Sequence, residues 1–134
     1  MAQTTQGKRI LLIDDDESIR KPLQRRLEAW GFEVIPAATG EEGLTLAEAQ
    51  QPDLILLDVV LPKMKGREVC GALKSNPSTR RIPVIFLTAL GLADHIKAGM
   101  DLGAEDYIVK PIEPEQLRMR LEVCLLRHAD RPDA

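Results

Sequence analysis

Short apolar runs alternate along the chain with longer stretches in which apolar positions recur every three or four residues. The first run, Ile10-Leu11-Leu12-Ile13, ends in three consecutive aspartates. An unbroken run of this kind reads as a strand covered on both faces, where neither side offers water to polar residues. Ile19, Leu23, Leu27 and Trp30 then recur at helical spacing as far as Gly31, a natural stop. Pro22 falls inside this predicted helix, in or just after its first turn, where its missing N–H costs little. Phe32 to Ile35 predicts a short second strand. Thr39, with Glu42 three residues on, has the spacing of a capping box. It opens a predicted helix through Leu44 and Ala47 to about Gln50.

Pro52-Asp53 breaks the chain, and Leu54-Ile55-Leu56-Leu57 is a third strand ending at Asp58. A loop from Leu61 to Gly66 leads to a helix through Val69 and Leu73. After the turn Asn76-Pro77-Ser78, residues Pro83 to Thr88 read as a fourth strand. A shorter helix is predicted around Ala93 to Leu102, stopped by Gly103. Tyr107-Ile108-Val109 is the fifth strand, closed by Lys110-Pro111, and a last helix runs from about Glu115 through Leu117, Leu121 and Leu125. Five strands alternating with five helices predict an α/β fold: a parallel sheet with helices on both faces. Residues 1–8 are expected to be frayed, residues 9–127 to form one domain, and residues 128–134 to be a polar tail or the start of a linker.

Composition narrows the function more than the fold. At 134 residues the chain is the size of one ordinary domain. A net charge of −3 and an aromatic content of 3% disfavour a general nucleic-acid or membrane-surface binder. The two cysteines, Cys70 and Cys124, lack metal-type spacing along the chain and read as reduced thiols inside helices. No signal peptide or membrane-length apolar run is visible, so a cytoplasmic location is expected.

In an open parallel sheet, ligands bind outside the carboxyl ends of the strands. Strand 1 ends in Asp14, Asp15 and Asp16, strand 3 in Asp58, strand 4 in Thr88-Ala89 and strand 5 in Lys110-Pro111. Parallel strands would gather all of these on one edge. Clustered carboxylates repel unless a divalent cation or a shared proton relieves them. A carboxylate is also a competent nucleophile toward phosphorus. Lys110 and the Thr88 hydroxyl could then meet the charge on phosphoryl oxygens. Taken singly, Asp14 to Asp16 can be a helix-capping turn, Asp58 a loop aspartate, Thr88 a packing residue and Lys110 a solvated lysine. Their joint occurrence at four strand ends makes those readings poor.

These residues resemble a response-regulator receiver domain of bacterial two-component signalling, the CheY-like family. The resemblance is carried by Ile10-Leu11-Leu12-Ile13-Asp14-Asp15-Asp16, Asp58-Val59-Val60-Leu61-Pro62, Phe86-Leu87-Thr88-Ala89 and Tyr107-Ile108-Val109-Lys110-Pro111. It covers about Arg9 to Arg127. It implies a flavodoxin-like (βα)5 doubly wound sheet of order 2-1-3-4-5. It implies that Asp58 accepts a phosphoryl group from a sensor histidine kinase or a histidine phosphotransfer protein. Mg²⁺ (or Mn²⁺) would be held by Asp14, Asp15, Asp58 and the backbone carbonyl of Val60. Lys110 would pair with the phosphoryl group, and Thr88 and Tyr107 would act as the switch pair. The Lys110–Pro111 bond would be cis. A downstream effector would read the face formed by the fourth helix, fifth strand and fifth helix, with a homodimer on phosphorylation also open; no direct nucleic-acid or membrane contact is implied.

Departures from the family pattern matter too. The loop Pro62-Lys63-Met64-Lys65-Gly66 carries lysines where the family commonly has an acidic residue just before the glycine. A more positive rim is expected to favour anionic phosphodonors. Val60 and Leu90, two residues beyond Asp58 and Thr88, are apolar and cannot orient an attacking water, which implies a phosphoryl lifetime that is not especially short. Arg118, Arg120 and Arg127 read as a solvated helix face, and His95 and His128 as surface histidines. Two other functions compete. A Mg²⁺-dependent phosphohydrolase would need an acid two residues after Asp58, where Val60 stands; a degenerate interaction module would have lost a key residue, and none is lost. So the expected role is a signalling switch rather than an enzyme, with its output in another protein or beyond this segment.

Overall fold

The fold is described from a computed structural model for residues 5–89, 97 and 100–129. Strands β1 (Arg9–Ile13), β2 (Glu33–Ala37), β3 (Leu54–Asp58), β4 (Val84–Ala89) and β5 (Asp106–Lys110) form one sheet, all parallel, in the order β2-β1-β3-β4-β5. Three helices follow the first three strands: α1 (Glu17–Ala29), α2 (Gly40–Gln50) and α3 (Gly66–Ser75). A C-terminal helix, Pro114–Ala129, follows β5. The helix predicted around 93–102 lies largely outside the described residues; Lys97, Met100 and Asp101 are helical.

The apolar runs become strands because alternate side chains serve two cores. Leu11, Ile13, Ile55, Leu57, Val84 and Phe86 pack on one face against Ala47 of α2 and Val69 and Leu73 of α3. Ile10, Leu12, Leu54, Leu56, Ile85 and Leu87 pack on the other against Leu23 and Leu27 of α1 and Leu117 and Leu121 of the C-terminal helix. A strand with apolar partners on both sides has no polar alternation to show, and its burial removes apolar surface from water twice over.

Element ends follow local chemistry. Asp16 caps α1 by accepting the Ser18 N–H at 2.9 Å. Thr39 caps α2 by accepting the Glu42 N–H at 3.0 Å, while the Glu42 carboxylate reaches back to the Ala38 N–H at 2.9 Å. Pro22 is the sixth residue of α1, just after its first turn, and the Ser18 carbonyl forgoes the donor that residue 22 would supply. Strand β2 runs two residues further than its apolar run, through Pro36, which an edge strand tolerates because one side of its backbone is unpaired.

Two boundaries differ from the sequence reading. Thr5 to Lys8, expected to be frayed, form a turn in which the Gly7 N–H donates to the Gly31 carbonyl at 2.9 Å. The C-terminal helix continues through His128 and Ala129, past the expected start of the tail, with His128 held against Glu105. No helix among the described residues is long and apolar enough to cross a membrane.

Candidate phosphoryl-acceptor site

Parallel pairing delivers the strand ends to one edge. Asp58 lies opposite Leu87, so Thr88 stands one step beyond it on β4; Thr88 pairs with Val109 and Ala89 with Lys110. Asp14 follows β1 directly, and its N–H donates to the Ala37 carbonyl at 3.1 Å. Asp14 is wholly buried, Asp58 nearly so, and Asp15 is exposed. Asp14, Asp15 and Asp58 each offer a carboxylate oxygen, and these oxygens lie within 4.8 Å of one another.

Lys110 projects into this cluster from the end of β5. Its Nζ is 3.4 Å from Asp58 Oδ2 and 3.5 Å from Asp14 Oδ2. The other Asp58 oxygen accepts the Val60 N–H at 3.1 Å. Burial pushes the Asp58 carboxyl up to about 6; the Lys110 ammonium and the Val60 N–H oppose this, and the Asp14 carboxylate adds to it. One lysine facing three carboxylates leaves an excess of negative charge at a partly desolvated edge. Hard oxygen donors of this kind suit Mg²⁺ or Mn²⁺, which take a few carboxylates and retain water or substrate oxygens.

The remaining predicted residues are arranged around this centre. The Thr88 side chain is fully buried and its hydroxyl donates to the Ala89 carbonyl at 3.3 Å. Tyr107 is half-buried against the core that contains Phe86. The Val60 side chain is exposed, so the site opens to solvent on that side. The Lys110–Pro111 peptide bond is cis. Lys63 and Lys65 are both exposed on the loop after β3. Leu90 and His95 lie outside the described residues.

Two supporting residues escaped the sequence reading. Arg20 of α1 donates to the Asp14 carbonyl at 2.7 Å, fixing the backbone of the acidic turn. Gly66, the first residue of α3, donates its N–H to the Val59 carbonyl at 2.9 Å, and a Cβ placed there would lie 2.3 Å from the Asp58 carbonyl oxygen. The Pro62-to-Gly66 loop signalled a turn, but not that the glycine abuts the end of β3. The three arginines of the C-terminal helix are engaged within the molecule. Arg118 stacks 5.5 Å from the Trp30 ring centroid, Arg120 reaches Asp106 at 2.6 Å, and Arg127 reaches Glu105 at 3.1 Å.

Residues 10–122 match the response regulator receiver domain family. The chain belongs to that family. It is 47% identical over 126 residues to the protein named Probable transcriptional regulator ycf27 of Cyanophora paradoxa, covering 93% of this chain and 51% of that one. It is 44% identical over 121 residues to the alkaline phosphatase synthesis transcriptional regulatory protein PhoP of Bacillus subtilis, covering 90% of this chain and 50% of PhoP. The chain thus spans about half the length of the curated relatives it matches. Among solved structures, the Vibrio cholerae chemotaxis protein CheY4 superposes with a TM-score of 0.83 at 32% identity, over 88% of this chain and 98% of CheY4. The sheet order and flanking helices of this receiver are those the family resemblance implied.

Proposed function

We propose that this receiver accepts a phosphoryl group on Asp58 from a phosphohistidine of a sensor kinase or phosphotransfer protein, and that the modification controls a downstream effector. The observation that carries the reading is the clustering of the Asp14, Asp15 and Asp58 carboxylates, with the Lys110 ammonium beside Asp14 and Asp58. An Asp58 oxygen attacks phosphorus; a phosphorus–oxygen bond forms as the donor's phosphorus–nitrogen bond breaks. Lys110 is within reach of the incoming phosphoryl oxygens and offsets their charge. The Thr88 hydroxyl exchanges the Ala89 carbonyl for a phosphoryl oxygen, and Tyr107, one strand away, repacks with it. A divalent cation held by Asp14, Asp15, Asp58 and the Val60 carbonyl would supply further positive charge at the transferring group.

The effector face is the edge formed by β5 and the C-terminal helix together with the segment before β5. Met119, Val123 and Leu126 on that helix are exposed apolar residues, a pattern that favours protein contact. The relatives' names as transcriptional regulators support transcription as the regulated process, acting through a partner or an effector domain. The receiver itself acts as a signalling switch, with no small-molecule substrate turned over. Dimerisation on phosphorylation through the same face belongs to this proposal.

Incubation with acetyl phosphate and Mg²⁺, followed by intact mass measurement, tests the assignment. One phosphoryl group is expected, lost in Asp58→Asn and absent when EDTA replaces Mg²⁺. Incorporation that survives Asp58→Asn would place the acceptor elsewhere. Beryllofluoride with Mg²⁺ should shift the amide resonances of Asp58, Thr88 and Lys110; no response there points instead to a phosphorylation-independent interaction module.

A further inference from the structure

We propose that Glu105, Cys124 and His128 form a binding site for a zinc-class transition metal, at the edge of the sheet opposite Asp58. A carboxylate oxygen, the Cys124 sulfur and a His128 ring nitrogen all lie within 4.8 Å of one another. Zinc bonds of about 2.0–2.3 Å set tetrahedral donors roughly 3.5 Å apart, so the 3.7 Å between Glu105 and Cys124 already fits and the Glu105–His128 contact opens to admit the ion. Two elements bring the donors together. Cys124 and His128 are one helical turn apart on the C-terminal helix, so they share a face. Glu105 immediately precedes β5, and its N–H donates to the Val84 carbonyl at 2.9 Å, which fixes its backbone. Its Oε2 lies 3.7 Å from Cys124 Sγ, and its Oε1 contacts His128 Nε2.

The surroundings fit a metal centre. Cys124 is buried, and Glu105 and His128 are partly so. Arg127, largely exposed, holds Glu105 Oε2 at 3.1 Å from the solvent side, leaving Oε1 toward His128. His128 also lines an open cavity of about 830 Å³ with Pro52, Asp53 and Ile82. That cavity opens the His128 side of the cluster to solvent. Coordination releases the Cys124 thiol proton to solvent as the sulfur–metal bond forms. Mixed sulfur, nitrogen and oxygen donors select a zinc-class ion, whereas the carboxylate cluster at Asp58 selects a hard ion such as Mg²⁺. The two edges of the sheet would thus sort metals by donor type.

Co²⁺ titrated into the untagged, reduced chain in excess Mg²⁺ tests this. One equivalent should produce visible bands of a tetrahedral centre and a thiolate-to-cobalt charge-transfer band. Cys124→Ser should abolish the charge-transfer band. His128→Ala and Glu105→Gln should each weaken binding roughly tenfold or more. Cys70→Ser and Asp58→Asn should leave the spectrum unchanged, with circular dichroism reporting the fold of every variant. If Cys124→Ser unfolds, the His128 and Glu105 variants decide. Absence of the band at one equivalent, its loss in Cys70→Ser, or its full retention in His128→Ala and Glu105→Gln would overturn the site and leave a hydrogen-bonded clasp.

Discussion

At the scale of single residues, Asp58 is costly to the fold that houses it. Its carboxyl lies at about 6 in the folded chain against an ordinary value of 3.8, chiefly through burial. Between about pH 4 and 6 the folded chain therefore holds a proton that the unfolded chain releases, and stability falls as pH rises through that window. The full shift corresponds to roughly 3 kcal/mol or less. Asp58→Asn, in EDTA at about pH 7.5, should raise the free energy of urea unfolding by about 1–3 kcal/mol, and the gain should shrink toward pH 4. An equal gain at both pH values would contradict the electrostatic origin. We propose that Lys65, exposed on the loop after β3, favours anionic phosphodonors through its charge. Lys65→Glu should slow phosphorylation by acetyl phosphate with little change in stability, and an unchanged rate would show that the exposed lysine points away from the donor's path.

At the scale of elements, the site is held by contacts between segment ends. The start of α3 presses on the end of β3 at Gly66, where an added Cβ would meet the Asp58 carbonyl oxygen at 2.3 Å and Val59 Cα at 2.8 Å. Both neighbours are backbone, so relief requires moving the strand end that carries Asp58. Gly66→Ala should cost about 2 kcal/mol or more in urea unfolding, and should slow phosphorylation as well. Arg20 ties α1 to the carbonyl of Asp14 in the same manner. Most elements were legible because β1, β3 and β4 are apolar runs and α1 and α2 open on the side-chain caps Asp16 and Thr39. Their ends were less so: β2 continues through Pro36 because its position at the sheet edge permits it, and the C-terminal helix continues through His128 beside Glu105.

At the scale of the whole molecule, the two edges of the sheet are chemically separate. Helix α1 starts at the acidic turn, and its 13 residues carry the chain about 20 Å toward the opposite edge. Trp30 follows it there, stacked with Arg118. Mg²⁺ added to the acidic site should therefore leave Trp30 emission nearly unchanged, whereas Arg118→Ala should alter it by removing the stacked cation. A large Mg²⁺-dependent quench in the wild-type chain would show that the edges communicate through α1.

The alternation of elements and the residues at the carboxyl ends of the strands are written in the order of the amino acids alone. Periodicity and strand-end chemistry are local properties, and Asp14, Asp15, Asp58, Thr88 and Lys110 are legible from them. Which of these touch depends on the packing of the strands: Lys110 lies between Asp14 and Asp58 because β5, β3 and β1 run parallel in one sheet. Packing also decided that Gly66 and Arg20 support the site, and that Glu105 meets Cys124 and His128 across a separation in sequence that no motif spans. Contacts between distant segments arise from packing, and packing is where local pattern ceases to be informative.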